Sequence, residues 1–432
     1  MTNKLTRRFW LTLTVFSLTG QIAWTVENMY LNVFIYKSFG APASAISAMV
    51  AASAVAATLT TVFIGALSDK IGKRKVFMCG GYIAWGISIM CFSLLRIDVL
   101  SSLFPTLSAA SLGISLTIAI DCIMTFFGSS ANDAAFNAWL TDSTDASSRG
   151  KAEGINAIMP LVSMLLVFGG FMAFDLDKSE SWTAIFLIIG IAVLVIGILG
   201  CFFITDTAEK NEENSKYWSN IIYGFRPSVI KNNPHLYFTL AAFALFGISV
   251  QIFMPYLILY YEVSLKMSNY VLIMAPAIII ASVCAALYGR FYDKNGYIKS
   301  ILPSLTALCV GYVIIFFFKT AAPVFIGSLV TMIGYLCSST VFGAMLRDKT
   351  PEGKAGMFQG LRIVCQVLIP GVIGPAIGAE VLKNAEVVVN NDGTTSFVPN
   401  ENIFMASLIV AIVLVVFLLV QSTCQKKKIT KS

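Results

Sequence analysis

The chain has 432 residues, 57% of them hydrophobic and only 12% charged, a balance far from that of a soluble domain. This excludes a soluble globular protein. The formal charge of +7 does not point to nucleic acid, because the cations lie in short segments between apolar runs and not on one surface. About twelve apolar segments follow one another, at 9–36, 43–68, 76–96, 113–140, 152–174, 183–204, 235–261, 268–290, 298–318, 323–346, 356–382 and 402–423. Each is long enough to cross a hydrocarbon core of about 30 Å. The expectation is an all-α membrane protein with twelve transmembrane helices. Short basic loops resist translocation, and most lysines and arginines fall in alternate loops and at the two ends. Both termini are therefore predicted to be cytoplasmic, in a multi-pass protein of the cytoplasmic membrane.

The basic start followed by an apolar run imitates a signal peptide, yet the run is about 28 residues and lacks a small-x-small cleavage site. It is read as the first span. That span carries Q-I-A-W-T-V-E-N-M-Y-L-N, in which Gln21, Trp24 and Asn28 share one face with Glu27 beside them. An aromatic ring beside amides and a carboxylate suits a polyol, through stacking and hydrogen bonds to hydroxyls. The alternative is a polar contact that holds the bundle together.

The second span runs into GALSDKIGKRK, Gly65 to Lys75, with Asp69 at the helix end and Lys70, Lys73, Arg74 and Lys75 at a basic turn. Gly72 allows the backbone to reverse where a Cβ would clash. In the fourth span Asp121 lies in one half, and Asn132, Asp133 and Asn137 lie toward the other end. Asp133 is about seven residues, or roughly 10 Å, from that end, too deep for an ordinary loop acid. Charged groups at such depth are costly, so each is a functional candidate.

Residues 205–234 interrupt the apolar runs and are read as a linker, with Trp218, Ile221, Ile222, Phe225 and Val229 at helical spacing. That spacing predicts a helix on the membrane surface or, equally, a packed linker helix. The seventh span offers Gln251 and Tyr256, and the eleventh offers Arg362, at a depth comparable with Asp133. A buried arginine needs a carboxylate or an anion. Arg362 is expected either to pair with Asp133 or Glu27 or to reach the headgroups. Asn390-Asn391-Asp392-Gly393, in the long segment 383–401, is a turn signal.

The second half echoes the first. GALSDKIGKRK is answered by GRFYDKNGYIK, placing Gly289, Asp293 and Gly296 at a shift of 224 from Gly65, Asp69 and Gly72. Asp142, Gly150 and Gly154 are answered by Asp348, Gly356 and Gly360 at a shift of 206. The predicted organisation is an N-terminal six-helix bundle over 1–204, a cytoplasmic linker over 205–234 and a C-terminal six-helix bundle over 235–432. Two repeated bundles form an architecture with a substrate site between the halves.

The pattern G-x-L-S-D-K-x-G-K-R resembles the loop between helices 2 and 3 of the major facilitator superfamily of transporters. The resemblance implies the twelve-helix facilitator fold, binding between spans 1, 4, 7 and 10, and a gating role for the loop residues Gly65, Asp69, Gly72, Lys73 and Arg74 and for Asp293. The stretch N-D-A-A-F-N-A-W-L-T-D-S-T-D-A-S-S-R resembles the fourth span of the glycoside–pentoside–hexuronide:cation symporters. There it implies that Asp133 binds sugar, with Asp145 and Arg149 as loop charges. Those symporters carry a pair of aspartates in span 2 where this chain reads Thr58 to Thr61, which weakens the case for Na⁺. Glu27 and Asp121 remain as carboxylates able to take up and release a proton, so H⁺ is the expected coupling ion.

The nine cysteines stand singly in or beside spans and His235 is the one histidine. Neither a disulfide framework, a metal site nor a Ser-His-Asp triad is expected, and no cofactor is implied. No phosphate-binding G-x-x-x-x-G-K-[ST] loop occurs. The reading is secondary transport, not an enzyme, of a small polar solute such as a sugar or glycoside by a monomer in the lipid bilayer. A proton-coupled exporter of amphipathic compounds is the rival.

Overall fold

The computed structural model describes residues 6–144, 148–205, 223–267, 269–350, 358–389 and 395–429. Twelve helices in it are long and apolar enough to cross a membrane. They divide into two compact units, Met1–Tyr217 and Trp218–Ser432, each containing six spans.

In the first unit, span 1 is Arg7–Phe39, span 2 belongs to the helix Ala43–Ile71, and span 3 is Arg74–Leu94. Span 4 is Ala109–Ser143, span 5 Gly150–Phe171 and span 6 Ser179–Phe203. Spans 1 and 4 extend beyond their apolar runs because polar caps start them early. The Thr6 hydroxyl accepts from the Phe9 N–H at 3.3 Å, and the Ser108 hydroxyl accepts from the Ser111 N–H at 3.4 Å. Gly40 and Gly72 end spans 1 and 2 in the left-handed conformation, at φ 61° and 68°, so the two ends of this unit are called the Gly40 end and the Gly72 end.

Hydrophobic attraction between helices is lost in lipid, so close packing and hydrogen bonds must hold the bundle. Spans 3 and 6 approach at Gly86, where a Cβ would meet the backbone of Gly190 and Leu194 within 3 Å. Tyr82 and Trp85 are fully buried, and Phe34 packs edge-on against Trp182 and Phe186. Aliphatic residues such as Leu59 and Ile188 are left exposed.

The second unit comprises span 7 (Pro234–Ser264), span 8 (Tyr270–Asn295), span 9 (Tyr297–Phe317), span 10 (Ala321–Lys349), span 11 (Gly360–Val381) and span 12 (Asn402–Gln421). Its core holds Tyr256, Tyr260, Tyr261 and Tyr312. Between spans 11 and 12, β1 (Val387–Val389) pairs antiparallel with β2 (Thr395–Phe397), Val388 opposite Ser396. Residues 390–394 of the expected turn lie outside the described residues.

The described part of the linker begins at Tyr223. Trp218, Ile221 and Ile222 lie outside the described residues, but Phe225 and Val229 do not share a face. Phe225 is exposed, whereas Val229 is buried with Leu236, Leu240 and Phe358. A short helix, Pro227–Asn232, starts between them at a proline and rotates the two side chains apart.

Candidate functional site

The buried acids of the first unit converge on two hydroxyls. Glu27 sits in a π-helical turn, Val26–Tyr30, which inserts a residue into span 1 and alters the direction of the side chains that follow. Its carboxylate is buried between spans 2 and 4, away from the exposed Asn28, and so does not stand on the face of Gln21, Trp24 and Asn28. Glu27 Oε1 accepts from Ser53 Oγ at 2.8 Å and from Thr125 Oγ1 at 2.8 Å. The two hydroxyls are themselves 2.8 Å apart. Asp121, 2% exposed, lies one turn before Thr125. Glu27 Oε2 and Asp121 Oδ1 are buried without a hydrogen-bond partner among the described residues, and neither acid has an ion pair there. A void of about 10 Å³ beside Glu27 is walled by Ala23, Val26, Leu31 and Met124, so it offers little polar company.

A second network fixes the neighbouring aromatic. Trp24 Nε1 donates to Asn132 Oδ1 at 3.3 Å, Asn132 Nδ2 donates to Tyr82 Oη at 2.8 Å, and Tyr82 Oη donates to the Phe16 carbonyl at 2.7 Å. The Trp24 ring lies 5.0 Å from Trp85. Asn132 and Asp133 belong to a second π-helical segment, Ser129–Phe136. Asp133 is half-buried, and its Oδ2 accepts from Ser129 Oγ at 3.0 Å. The amides of Asn28 and Asn137 turn back to the Trp24 and Asp133 carbonyls, at 2.8 and 3.1 Å.

The basic turn is organised by Arg74. It is buried, unlike the exposed Lys73, and its Nε meets Asp142 Oδ2 at 3.0 Å while Nη1 donates to Ser68 Oγ at 2.6 Å. Ser68 in turn donates to the Gly65 carbonyl at 3.2 Å. In the second unit Tyr292, the position equivalent to Ser68 under the 224-residue shift, donates straight to Asp348 at 2.5 Å. Asp293 is exposed and makes no hydrogen bond among the described residues, so the contact to Asp348 in that unit comes from its neighbour Tyr292. The side chains of Asp69 and Arg149, and residue Asp145, lie outside what is described.

Elsewhere in the second unit, Gln251 is half-buried. Tyr256, expected to face solute, is wholly buried, with its hydroxyl 3.3 Å from the Pro375 carbonyl and its ring edge-on to Phe397 of β2. The hairpin and span 11 have claimed it as packing. Arg362 Nε is buried without a hydrogen-bond partner among the described residues.

Sequence pattern alone does not single out Ser53, Thr125, Tyr82 or Trp85. Ser53 stands alone in the alanine-rich run M-V-A-A-S-A-V-A-A, and Thr125 stands four residues after Asp121. A hydroxyl one turn from an intramembrane acid is the available signal.

The family model described as Major Facilitator Superfamily matches residues 12–375. The chain belongs to that superfamily. No curated protein matches it in sequence. Among solved structures, a mutant form of the nucleoside transporter NupG has a TM-score of 0.74 at 12% identity, over 94% of this chain and 98% of that one. The xylose transporter XylE from E. coli, in a partially occluded inward-open conformation, has a TM-score of 0.66 at 14% identity over 94% and 98%. A bacterial homologue of the human lysosomal transporter Spinster, inward-facing and unoccupied, has 0.69 at 14% over 96% and 97%. At such identities these likenesses speak to the fold alone. As a superfamily member with twelve such helices, the chain is a multi-pass membrane transporter.

Proposed function

We propose that the chain is a secondary carrier moving a small hydroxylated solute, a sugar, glycoside or nucleoside, together with a proton by alternating access. The observation that carries this reading is the triangle of Glu27, Ser53 and Thr125, with three oxygen–oxygen edges of 2.8 Å. Two hydroxyls supply two protons. With Glu27 ionised both protons go to its carboxylate and the third edge is left without one; with Glu27 protonated it donates to one hydroxyl, which turns to the other, and all three edges are hydrogen bonds. Asp121, on the same helix as Thr125, is the second acid to which the proton can pass.

Solute would meet the Trp24, Asn28, Asp133 and Asn137 side of the unit, with Gln251 from the second unit. Asp133 is the sugar-binding acid by its likeness to the glycoside–pentoside–hexuronide symporters. Arg362 would pair with Asp133 and latch one conformation. The Gly72 end is cytoplasmic, as are both termini. Rocking of two repeated bundles would change the exposure of the solute.

The test is uptake into vesicles carrying the purified chain under an imposed pH gradient, with labelled sugars, glycosides and nucleosides as a panel. Gradient-driven accumulation of one hydroxylated solute is expected. Dye efflux with no uptake of any of them would instead favour an exporter.

A further inference from the structure

A polar cavity lies at the Gly40 end of the first unit, and Phe92 lines both it and the small void beside Glu27. The cavity measures about 470 Å³, and its lining includes Phe34, Phe92, Trp182, Lys37, Arg96 and Asp177, within the range of ligand-sized pockets. The charges are laid out by depth. The cationic side chains are sheltered, Lys37 10% and Arg96 26% exposed, while their acidic partners Asp177, Glu180 and Asp98 stand 78%, 71% and 63% exposed. Lys37 Nζ reaches Asp177 at 3.0 Å. Arg96 spends Nε and Nη2 on Asp98, leaving Nη1 without a hydrogen bond among the described residues. Ion pairs with such exposed acids exchange partners at little cost. Leu94, next in the chain to the lining residue Leu95, and Leu187 and Ile188, one turn along span 6 from the lining residue Thr183, present exposed apolar side chains.

We propose that this cavity binds the headgroup of a zwitterionic aminophospholipid. Its phosphate lies inward between Lys37 and Arg96, its ammonium outward against Asp177 and Glu180, and its acyl chains along the stripe of Leu94, Leu187 and Ile188. A guanidinium fork suits a phosphate, and an ammonium brings three donors for the outer carboxylates. A purely anionic lipid satisfies the inner cations but faces the acidic rim, and so is discriminated against. The exposed Leu94, Leu187 and Ile188, within one turn of lining residues along spans 3 and 6, favour a lipid over a free zwitterion.

The full chain in detergent is titrated with phosphatidylethanolamine, phosphatidylglycerol and soluble glycerophosphoethanolamine, read by thermal unfolding and by native mass spectrometry. Phosphatidylethanolamine is expected to bind at least tenfold more tightly than phosphatidylglycerol, with the soluble headgroup weaker than the lipid. Lys37→Gln with Arg96→Gln should abolish the preference. Asp177→Asn with Glu180→Gln, at exposed positions that folding tolerates, should invert it toward phosphatidylglycerol. Equal affinity of the two lipids for the unsubstituted chain overturns the proposal. So does a preference unmoved by Asp177→Asn with Glu180→Gln, or a soluble headgroup binding as tightly as the lipid.

Discussion

Glu27→Gln separates the proton from the shape of the site. The glutamine amide can fill the site either way, its carbonyl accepting from Ser53 and Thr125 or its NH2 donating to them, but it carries no proton that can leave. At most one neutral hydrogen bond is lost, about 0.5–1.5 kcal/mol, so the unfolding temperature of a unit of this size should fall by no more than about 5 °C. The folded carrier should remain, and solute exchange with it. Accumulation should not: one pH unit is worth about 1.4 kcal/mol per proton, a tenfold solute ratio at a stoichiometry of one. Vesicles under a one-unit gradient should therefore concentrate solute about tenfold with the unsubstituted chain and not at all with Glu27→Gln. The reasoning fails if the variant accumulates solute like the parent. It fails equally if the unfolding temperature rises, since a buried unpaired carboxylate that was ionised would be relieved by neutralisation.

Other substitutions test the remaining contacts. Arg74→Ala strands Asp142, and because Asp142 keeps 30% exposure the loss should be about 2 kcal/mol, below the value for a fully buried pair. Arg74→Lys should recover only part in a thermal melt, since an ammonium lacks the fork that reaches Ser68 and Asp142 together; an unchanged melt for the alanine variant would show the pair to be idle. Gly72→Ala, at φ 68° and ψ 22°, should cost about 1 kcal/mol. Gly296→Ala, at φ 74° and ψ −178°, occupies a glycine-only region and should cost more, about 1–3 kcal/mol; equal losses in chemical unfolding would contradict the backbone argument. Asp133→Arg and Arg362→Asp should each abolish transport and together restore part of it, and no gain over the single changes rejects their pairing.

The spans were legible because the bilayer fixes their length and lipid their composition, and the repeated turns were legible because glycine is required where φ is positive. The triangle around Glu27 was half legible. The acid announced itself by its depth, but Ser53 is one hydroxyl among alanines, and only the packing of three helices shows that it serves Glu27. The π-helical turns at Val26 and Ser129 leave no mark in composition, because any apolar or small residue can adopt them. Glu27, read as standing beside the Gln21, Trp24 and Asn28 face, is buried while Asn28 is exposed. Arg74 was hidden among the loop cations, since charge alone does not tell a buried ion pair from a topological signal. Tyr256 was misplaced because β2, three residues long, brings Phe397 onto it from about 140 residues away.

The most direct measurement is solute-driven proton movement. Vesicles carrying the chain, with no pH gradient and a pH dye outside, receive a saturating pulse of the solute found in the uptake panel. An immediate alkalinisation of the medium is expected as solute and proton enter together, absent with Glu27→Gln. Solute entry without any change of external pH would contradict coupled entry.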